Sequence, residues 1–427
     1  MDDLTVATII FALTYVAIVS ERINKTTAAL LGGVAMILFR VIDQEEAFDA
    51  IDFNVIFLLI GMMVIANITG KTGAFQWLAI RSAKLTRGNP IAILVALCLI
   101  TAVASAFLDN VTTVVLMAPL TLFMASSLGL SPLPFLISLI MASNIGGTAT
   151  LIGDPPNILI GSAADLDFVS FLVNVGPIAL IILITFLVAV VFFFRDGLRA
   201  SPESRQRVME IDESEVLTDR RLLAASVAVL AFTVVGFLLH SVLDYEVASV
   251  ALLGAALLLI AGRQDPHDAL REVEWPTIFF FFGLFMVVAG VEETGLLQDI
   301  GEALADASGG DLTLATMFIL WPSALLSSIV NQIPYTAAML PVVDQIGRDI
   351  EAPAGSANPL WWALVLGVGL GANLTIVGAA ANVFIVNVAG RAGYKISFLA
   401  YLKYGTPVTL LSVAVAAVYV WLRYLAF

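Results

Sequence analysis

The sequence predicts an all-α polytopic membrane protein built from two inverted-topology repeats. Each repeat has five transmembrane spans, one of them broken, plus one re-entrant hairpin. Two observations carry that fold class. Of the 427 residues 60% are hydrophobic and only 13% charged, and apolar runs near the length of a bilayer span recur along the chain. The chain also repeats itself at an offset of 222 residues: Leu30-Leu31-Gly32 returns as Leu252-Leu253-Gly254, Phe57 and Gly61 as Phe279 and Gly283, and Ser105, Met117 and Pro119 as Ser327, Met339 and Pro341. Beyond Pro341 the register slips by a few residues, yet Gly153-x-x-x-Asn157 is still answered by Gly378-x-x-x-Asn382.

Taken in order, the first repeat (1–194) has scaffold spans near 4–20, 27–42 and 53–70, a hairpin at 91–126, a broken span at 133–164 and a last span at 172–194. The second (222–427) has scaffold spans at 222–240, 247–262 and 275–291, a hairpin at 313–343, a broken span at 359–390 and a last span at 404–424. The hairpins are apolar stretches with a polar kink at mid-length. Short amphipathic helices at 74–87 and 296–307 precede them and are expected along the interface. The long polar stretch 195–221 reads as a charged cytoplasmic linker, with no apolar pattern for a third domain.

An odd number of spans per repeat requires the second to insert upside down. Charge agrees: with both termini outside the cytoplasm, only Arg40, Arg348 and Arg423 of the basic residues fall on the outer side. Asp2 and Asp3 stand where a signal peptide would carry basic residues, so the first segment is expected to stay as a span. The lone Cys98 excludes an intramolecular disulfide framework. With 20 basic against 34 acidic residues the net charge is −14, which gives no reason to expect nucleic acid as a partner.

Chemistry is expected where polar residues interrupt membrane segments, and there are four such places. The first hairpin turns at Asp109-Asn110-Val111-Thr112-Thr113, and the first broken span reads Asn144, Gly146, Thr148 and Thr150, then Gly153-Asp154-Pro155-Pro156-Asn157. The repeat mates are Asn331, Gln332 and Thr336, then Asn373, Thr375, Gly378 and Asn382. Proline and glycine break the helices and expose carbonyls and amides at half-helix ends, while Asn and Thr oxygens suit a hard cation or a small solute. Asp109 and Asp154 read as the ionisable residues at membrane depth, where a carboxylate costs about 2.5–3.5 kcal/mol. They are the candidate ion-coupling groups, carrying H+ or held ionised by Na+; the bland alternative for either is a helix cap. Gly367-x-Gly369-x-Gly371 reads as close helix packing, His240 and His267 as solvated loop residues, Cys98 as packing, and Trp77, Trp275, Trp361, Trp362 and Trp421 as interfacial anchors.

The paired hairpins and broken helices, with Asp109-Asn110-x-Thr112-Thr113 and Gly153-Asp154-Pro155-Pro156-Asn157, resemble the ion transporter superfamily with the citrate-transporter-like domain. The likeness is strongest to the branch of arsenite permeases, NhaD-type sodium/proton antiporters and the P protein. It implies a homodimer in the cell membrane whose hairpins, broken spans and following spans move as an elevator against a scaffold of the first three spans of each half. The dicarboxylate branch carries Ser-Asn-Thr where this chain has Asp109-Asn110-Val111 and Ser143-Asn144-Ile145, and a dianion would meet two uncompensated carboxylates. The expected function is therefore secondary transport without a cofactor: proton-coupled arsenite or antimonite efflux first, then sodium/proton antiport, then sodium-coupled anion or dicarboxylate symport. An ion channel is the reading from a different class, and it would need a continuous polar pathway. No nucleophile–base pair, metal-ligand spacing or phosphate loop is found, so an enzyme is not expected; a separate cytoplasmic ATPase would dock at the linker.

Overall fold

The computed structural model describes residues 2–20, 22–213 and 216–426; linker positions 214 and 215 lie outside them. Among the described residues the regular elements are helices. The first half runs α1 (Asp3–Ser20), α2 (Lys25–Leu38), α3 (Gln44–Asp49), α4 (Phe53–Lys71), α5 (Ala74–Leu85), α6 (Pro90–Phe107), α7 (Asn110–Ser127), α8 (Leu133–Thr148), α9 (Pro155–Ala163), α10 (Phe168–Asn174) and α11 (Gly176–Phe194). The linker contributes α12 (Pro202–Met209). The second half runs α13 (Arg220–Leu243), α14 (Val247–Ala261), α15 (Pro266–Arg271), α16 (Trp275–Glu293), α17 (Leu296–Ala307), α18 (Leu312–Val330), α19 (Gln332–Asp349), α20 (Pro359–Gly371), α21 (Ala380–Arg391) and α22 (Phe398–Val420). The order of long and short helices is the same in both halves, with α10 as the extra element.

Helix starts follow local chemistry. Asn24, Asp52, Asp219 and Asp311 cap α2, α4, α13 and α18 through their side chains, and Asn89-Pro90 and Asn358-Pro359 add proline at the first helical position. Among the described residues, nine helical segments are long and apolar enough to cross a membrane, ten if the bent α9–α10 pair counts as one. The arms α6 and α7 of the first hairpin have 18 residues each, which at about 1.5 Å per residue nearly matches a bilayer core. Length alone therefore does not distinguish these arms from spans.

Two glycines set how the halves meet. A Cβ on Gly61 of α4 would lie 2.8 Å from the Ala251 carbonyl carbon of α14, and one on Gly283 of α16 would lie 2.3 Å from the Ala29 carbonyl carbon of α2. The contacts are reciprocal, since Ala29 and Ala251, like Gly61 and Gly283, are repeat mates. Backbones approach this closely only where a side chain is missing.

Around this frame lies a second group of helices: α6 and α7 pack on α8, and α18 and α19 on α20. The halves are interleaved there, because α9 packs on α19, α21 on α7 and α8 on α20. All 13 residues of α20 are buried, so its uniformly apolar sequence is that of a core helix. Trp361 and Trp362 sit within it, not at the interface as expected; Trp362 packs edge-on against Phe171 at 5.3 Å. Gly367 and Gly371 lie on one face of α20, where a Cβ would come within 2.6 and 2.4 Å of α18 carbonyls, while a Cβ on Gly369 would lie 2.3 Å from the Thr148 hydroxyl of α8.

The linker folds back on the end of α4 and on α5: Thr218 donates its N–H to Thr72 O at 3.2 Å and its hydroxyl to Lys71 O at 2.7 Å, Glu213 pairs with Arg81 at 2.8 Å, and Val208 of α12 is fully buried. Gly73, at φ 77°, makes room for this, as its Cβ would lie 1.9 Å from Val216 O. Its mate Gly295 shares the conformation and has nothing within 4 Å.

Candidate functional site

Asp154 lies at the centre of the α8–α9 break and is 1% exposed. It occupies the N-cap position of α9 but makes no side-chain cap bond. Its neighbours contribute: Pro156 at the second helical position has no N–H to offer, and the Asn157 N–H goes to the Asp154 main-chain carbonyl at 3.0 Å, so no amide of the first turn holds the carboxylate. Gln332 Nε2 donates to Asp154 Oδ1 at 2.8 Å and to Oδ2 at 3.0 Å, and Asn110 Nδ2 donates to Oδ2 at 3.0 Å. Asn110 and Gln332 are repeat mates at the two hairpin tips. One carboxylate is thus held by both halves.

Asp109 behaves differently. It caps α7, accepting from Val111 N at 2.8 Å, from Thr112 N at 3.1 Å and from the Thr112 hydroxyl. Its bland reading as a helix cap describes its geometry, whereas that of Asp154 does not. The charge of Asp109 is felt by Glu274, the residue before α16, whose carboxyl is pushed up by burial and by Asp109 and eased down by Lys25. Glu274 is half-buried and adds a third carboxylate beside the site, which the sequence reading, with two, missed. Nothing in its local sequence marked it; the approach of α16 to the first hairpin tip does.

A second polar knot lies where α8 meets the second half. Asn144 Nδ2 donates to Asn373 Oδ1 and to Asn382 Oδ1, both at 3.0 Å. Ser143 joins the two knots, its hydroxyl 3.0 Å from that of Ser105 and 3.5 Å from Asn110 O. Asn144 Oδ1, Gln332 Oε1, Thr113 Oγ1 and Asn373 Nδ2 are buried without a hydrogen-bond partner in the described chain.

The remaining candidates hold the breaks in shape. Asn157 Nδ2 donates to the carbonyls of Gly147, Thr148 and Thr150 at 3.0, 3.3 and 2.7 Å, and its mate Asn382 donates to those of Ala372 and Thr375 at 2.7 and 3.0 Å. Each amide staples the open C-terminal end of one half-helix to the start of the next. Thr150 donates to Ala106 O and Thr375 to Ser328 O, tying each break to its hairpin. Thr148 and Thr336 bond back to Asn144 O and Gln332 O. A Cβ on Gly146 would lie 2.1 Å from Ala102 O, one on Gly153 2.4 Å from Gly147 O and one on Gly378 2.7 Å from Ala372 O, so their missing side chains serve backbone packing. Asn331 caps α19 through Ile333 N and donates to Val377 O at 3.3 Å. His240 ends α13, with Nδ1 3.2 Å from Tyr245 O, and is not a loop residue; Cys98 is buried.

Two hairpin tips meeting at one carboxylate and two stapled breaks describe the site, and similarity to known proteins supplies the family. The family model described as citrate transporter matches residues 15–367. The chain belongs to the citrate transporter family. An uncharacterized transporter of Mycobacterium tuberculosis is 42% identical over 423 residues, 98% of each chain, and the P protein of Homo sapiens is 32% identical over 499 residues, 98% of this chain and 59% of that one. Among solved structures, the Alcanivorax borkumensis YdaH transporter superposes with a TM-score of 0.58 at 15% identity, over 90% of this chain and 88% of the other, which establishes the shared fold. This citrate transporter family member is a multi-pass membrane protein and a secondary transporter.

Proposed function

We propose that this chain is a proton-coupled secondary transporter whose coupling group is Asp154 and whose cargo is a small inorganic solute, arsenous or antimonous acid first. The observation that carries this reading is the setting of Asp154. It is buried, bonded only by neutral amides from both hairpin tips, and among the described residues no Lys, Arg or His forms an ion pair with it. A carboxylate so placed has no built-in counter-charge, and a proton is the simplest means of neutralising it during transit. The same lack of cationic groups disfavours a bare di- or tricarboxylate; the citrate of the family description would need cations entering with it.

A second reading, sodium/proton antiport, draws on the buried oxygens of Gln332, Asn144 and Thr113, which are ligands of the kind a hard cation prefers. In either case the protein would work as a homodimer in the cell membrane with both termini outside. The hairpins and broken spans would move as one body against α1, α2, α4, α13, α14 and α16. An ATPase partner would meet the cytoplasmic face formed by α5 and the docked linker. The test is flux into proteoliposomes holding a trapped pH-sensitive dye, with arsenite, antimonite, sodium, lithium and citrate added in turn. Proton movement on adding a metalloid supports the first reading; a response to sodium or lithium alone selects the second; a response to none of them refutes both.

A further inference from the structure

The two hairpin tips are built alike in sequence position but not in strain. At the first, Asp109 has φ −60° and ψ 149°, ordinary extended backbone. At the second, its mate Asn331 has φ 82° and ψ 140°, a region that residues other than glycine hold only when their surroundings force it. Three attachments to groups outside the hairpin supply that force. Asn331 Nδ2 reaches Val377 O at 3.3 Å, Gln332 Nε2 grips both oxygens of Asp154 at 2.8 and 3.0 Å, and Tyr15 of α1 donates its hydroxyl to Pro334 O at 2.7 Å. Only one of the three involves a group whose charge can change.

We propose that Gln332 is the positioning residue through which the second hairpin reads the charge on Asp154, so that neutralising this carboxylate releases the hairpin tip. The inference rests on the reading that Asp154 is the coupling group, and adds how its charge reaches a moving part. An ionised carboxylate offers two acceptor oxygens to the Gln332 amide and to Asn110. Once protonated, it keeps one good acceptor and presents an O–H donor towards N–H groups, so the Gln332 amide makes one neutral bond where it made two charge-assisted ones. A cation bound at the carboxylate displaces the same N–H donors. The strain at Asn331 then favours departure. The charged groups facing this assembly are few: Asp109 lies within electrostatic reach of Asp154, Glu274 within reach of Asp109 and Lys25, and Lys25 lines a cavity with Asn331 and Pro334 of the second tip. The first hairpin has no such device, because Asn110 makes a single bond to Asp154 and Asp109 is unstrained.

The experiment uses purified full-length protein carrying Cys98→Ala and a single new cysteine at Ile333, which is 5% exposed in the gripped state, or at Ala337, 2% exposed and one turn further on. The rate of maleimide labelling is measured across a pH series, corrected for thiolate fraction with a short cysteine peptide. Acidification is expected to raise the corrected rate by about tenfold, the factor for loss of about one charge-assisted hydrogen bond. Gln332→Ala and Asp154→Asn are expected to label fast at every pH. Asn331→Gly, relieved of strain, should move the rise to lower pH. A flat profile for both reporters, or an unchanged pH profile in Gln332→Ala, overturns the inference. Coupled flux in proteoliposomes with flat labelling defeats this inference alone. A normal labelling switch without proton-coupled flux leaves the hairpin device standing and defeats the transport reading.

Discussion

Asn157 is the residue on which the site's shape depends most directly, and its replacement gives a prediction with a sign. In Asn157→Ala the amide that bonds three carbonyls at 2.7, 3.0 and 3.3 Å is lost, within a segment that is fully buried. An amide has two hydrogens, so two bonds are strong and the third is shared. Leaving a buried group unsatisfied costs about 1–3 kcal/mol, whereas side-chain bonds inside membrane proteins average nearer about 0.6 kcal/mol. For two bonds the expected loss is therefore about 1–4 kcal/mol, read as a drop of a few degrees in the melting temperature of the detergent-solubilised protein. Asn157→Asp decides the matter. It is nearly isosteric, yet sets an oxygen against three carbonyl oxygens, so it should melt lower than Asn157→Ala. If Asn157→Asp melts with the parent protein, or above the alanine variant, the staple is wrong. If both variants melt normally but raise the half-saturating solute concentration, Asn157 is a ligand.

Other consequences are as specific. Gly283→Ala, whose Cβ would sit 2.3 Å from backbone, should destabilise by about 1–3 kcal/mol and more than Gly61→Ala, whose nearest contact is 2.8 Å; thermal melts of the two variants rank them. Gly73→Ala should undock the linker from α5, seen as faster tryptic cleavage at Arg205 and Arg207, whereas Glu213→Ala, which removes only a partly exposed ion pair, should leave the cleavage rate near that of the parent. At the outer surface, partial burial raises the Asp167 carboxyl, but bonds from Ser170 and the nearby His240 outweigh it and hold it below its usual range. The stability it contributes is full above the ordinary carboxylate pKa and is lost as pH falls through the lowered value. Asp167→Asn should accordingly melt with a shallower decline in acid than the parent, in a pH series of thermal scans.

Much of the fold could be read from residue spacing because membrane solvent leaves few alternatives. The breaks expected within 133–164 and 359–390 fall between Thr148 and Pro155 and between Gly371 and Ala380, where Gly, Thr and Pro cluster. The amphipathic helix expected at 296–307 is α17 to the residue. The polar candidates lie at the hairpin tips and helix breaks, but their separate bonding was not legible in the sequence. Thr150, Asn157 and Thr375 look like ligands in a list and are staples in space, because a local polar side chain and a broken helix end satisfy each other first. One hint was nevertheless written in the chain: Pro156 removes one of the two amides an N-cap side chain can use, which weakens the hold of α9 on the Asp154 carboxylate. The long-range pairings had no sequence signal. Gln332 reaching Asp154 across 178 positions, Glu274 approaching Asp109 and Tyr15 holding Pro334 depend on how the halves interleave. The docking of the linker had no sequence signal either, because its few apolar residues, such as Val208, find a surface that exists only in the folded chain.

The central claim is that the Asp154 charge drives transport while Asp109 shapes the first hairpin. Asp154→Asn keeps the size and the hydrogen-bonding reach of the side chain but cannot titrate, so proteoliposomes of this variant should retain a folded protein and lose solute-driven proton movement. Asp109→Asn can still accept one cap bond and should keep a reduced, proton-coupled flux. Undiminished proton movement in Asp154→Asn, under the solute gradient that drives the parent, would contradict the account.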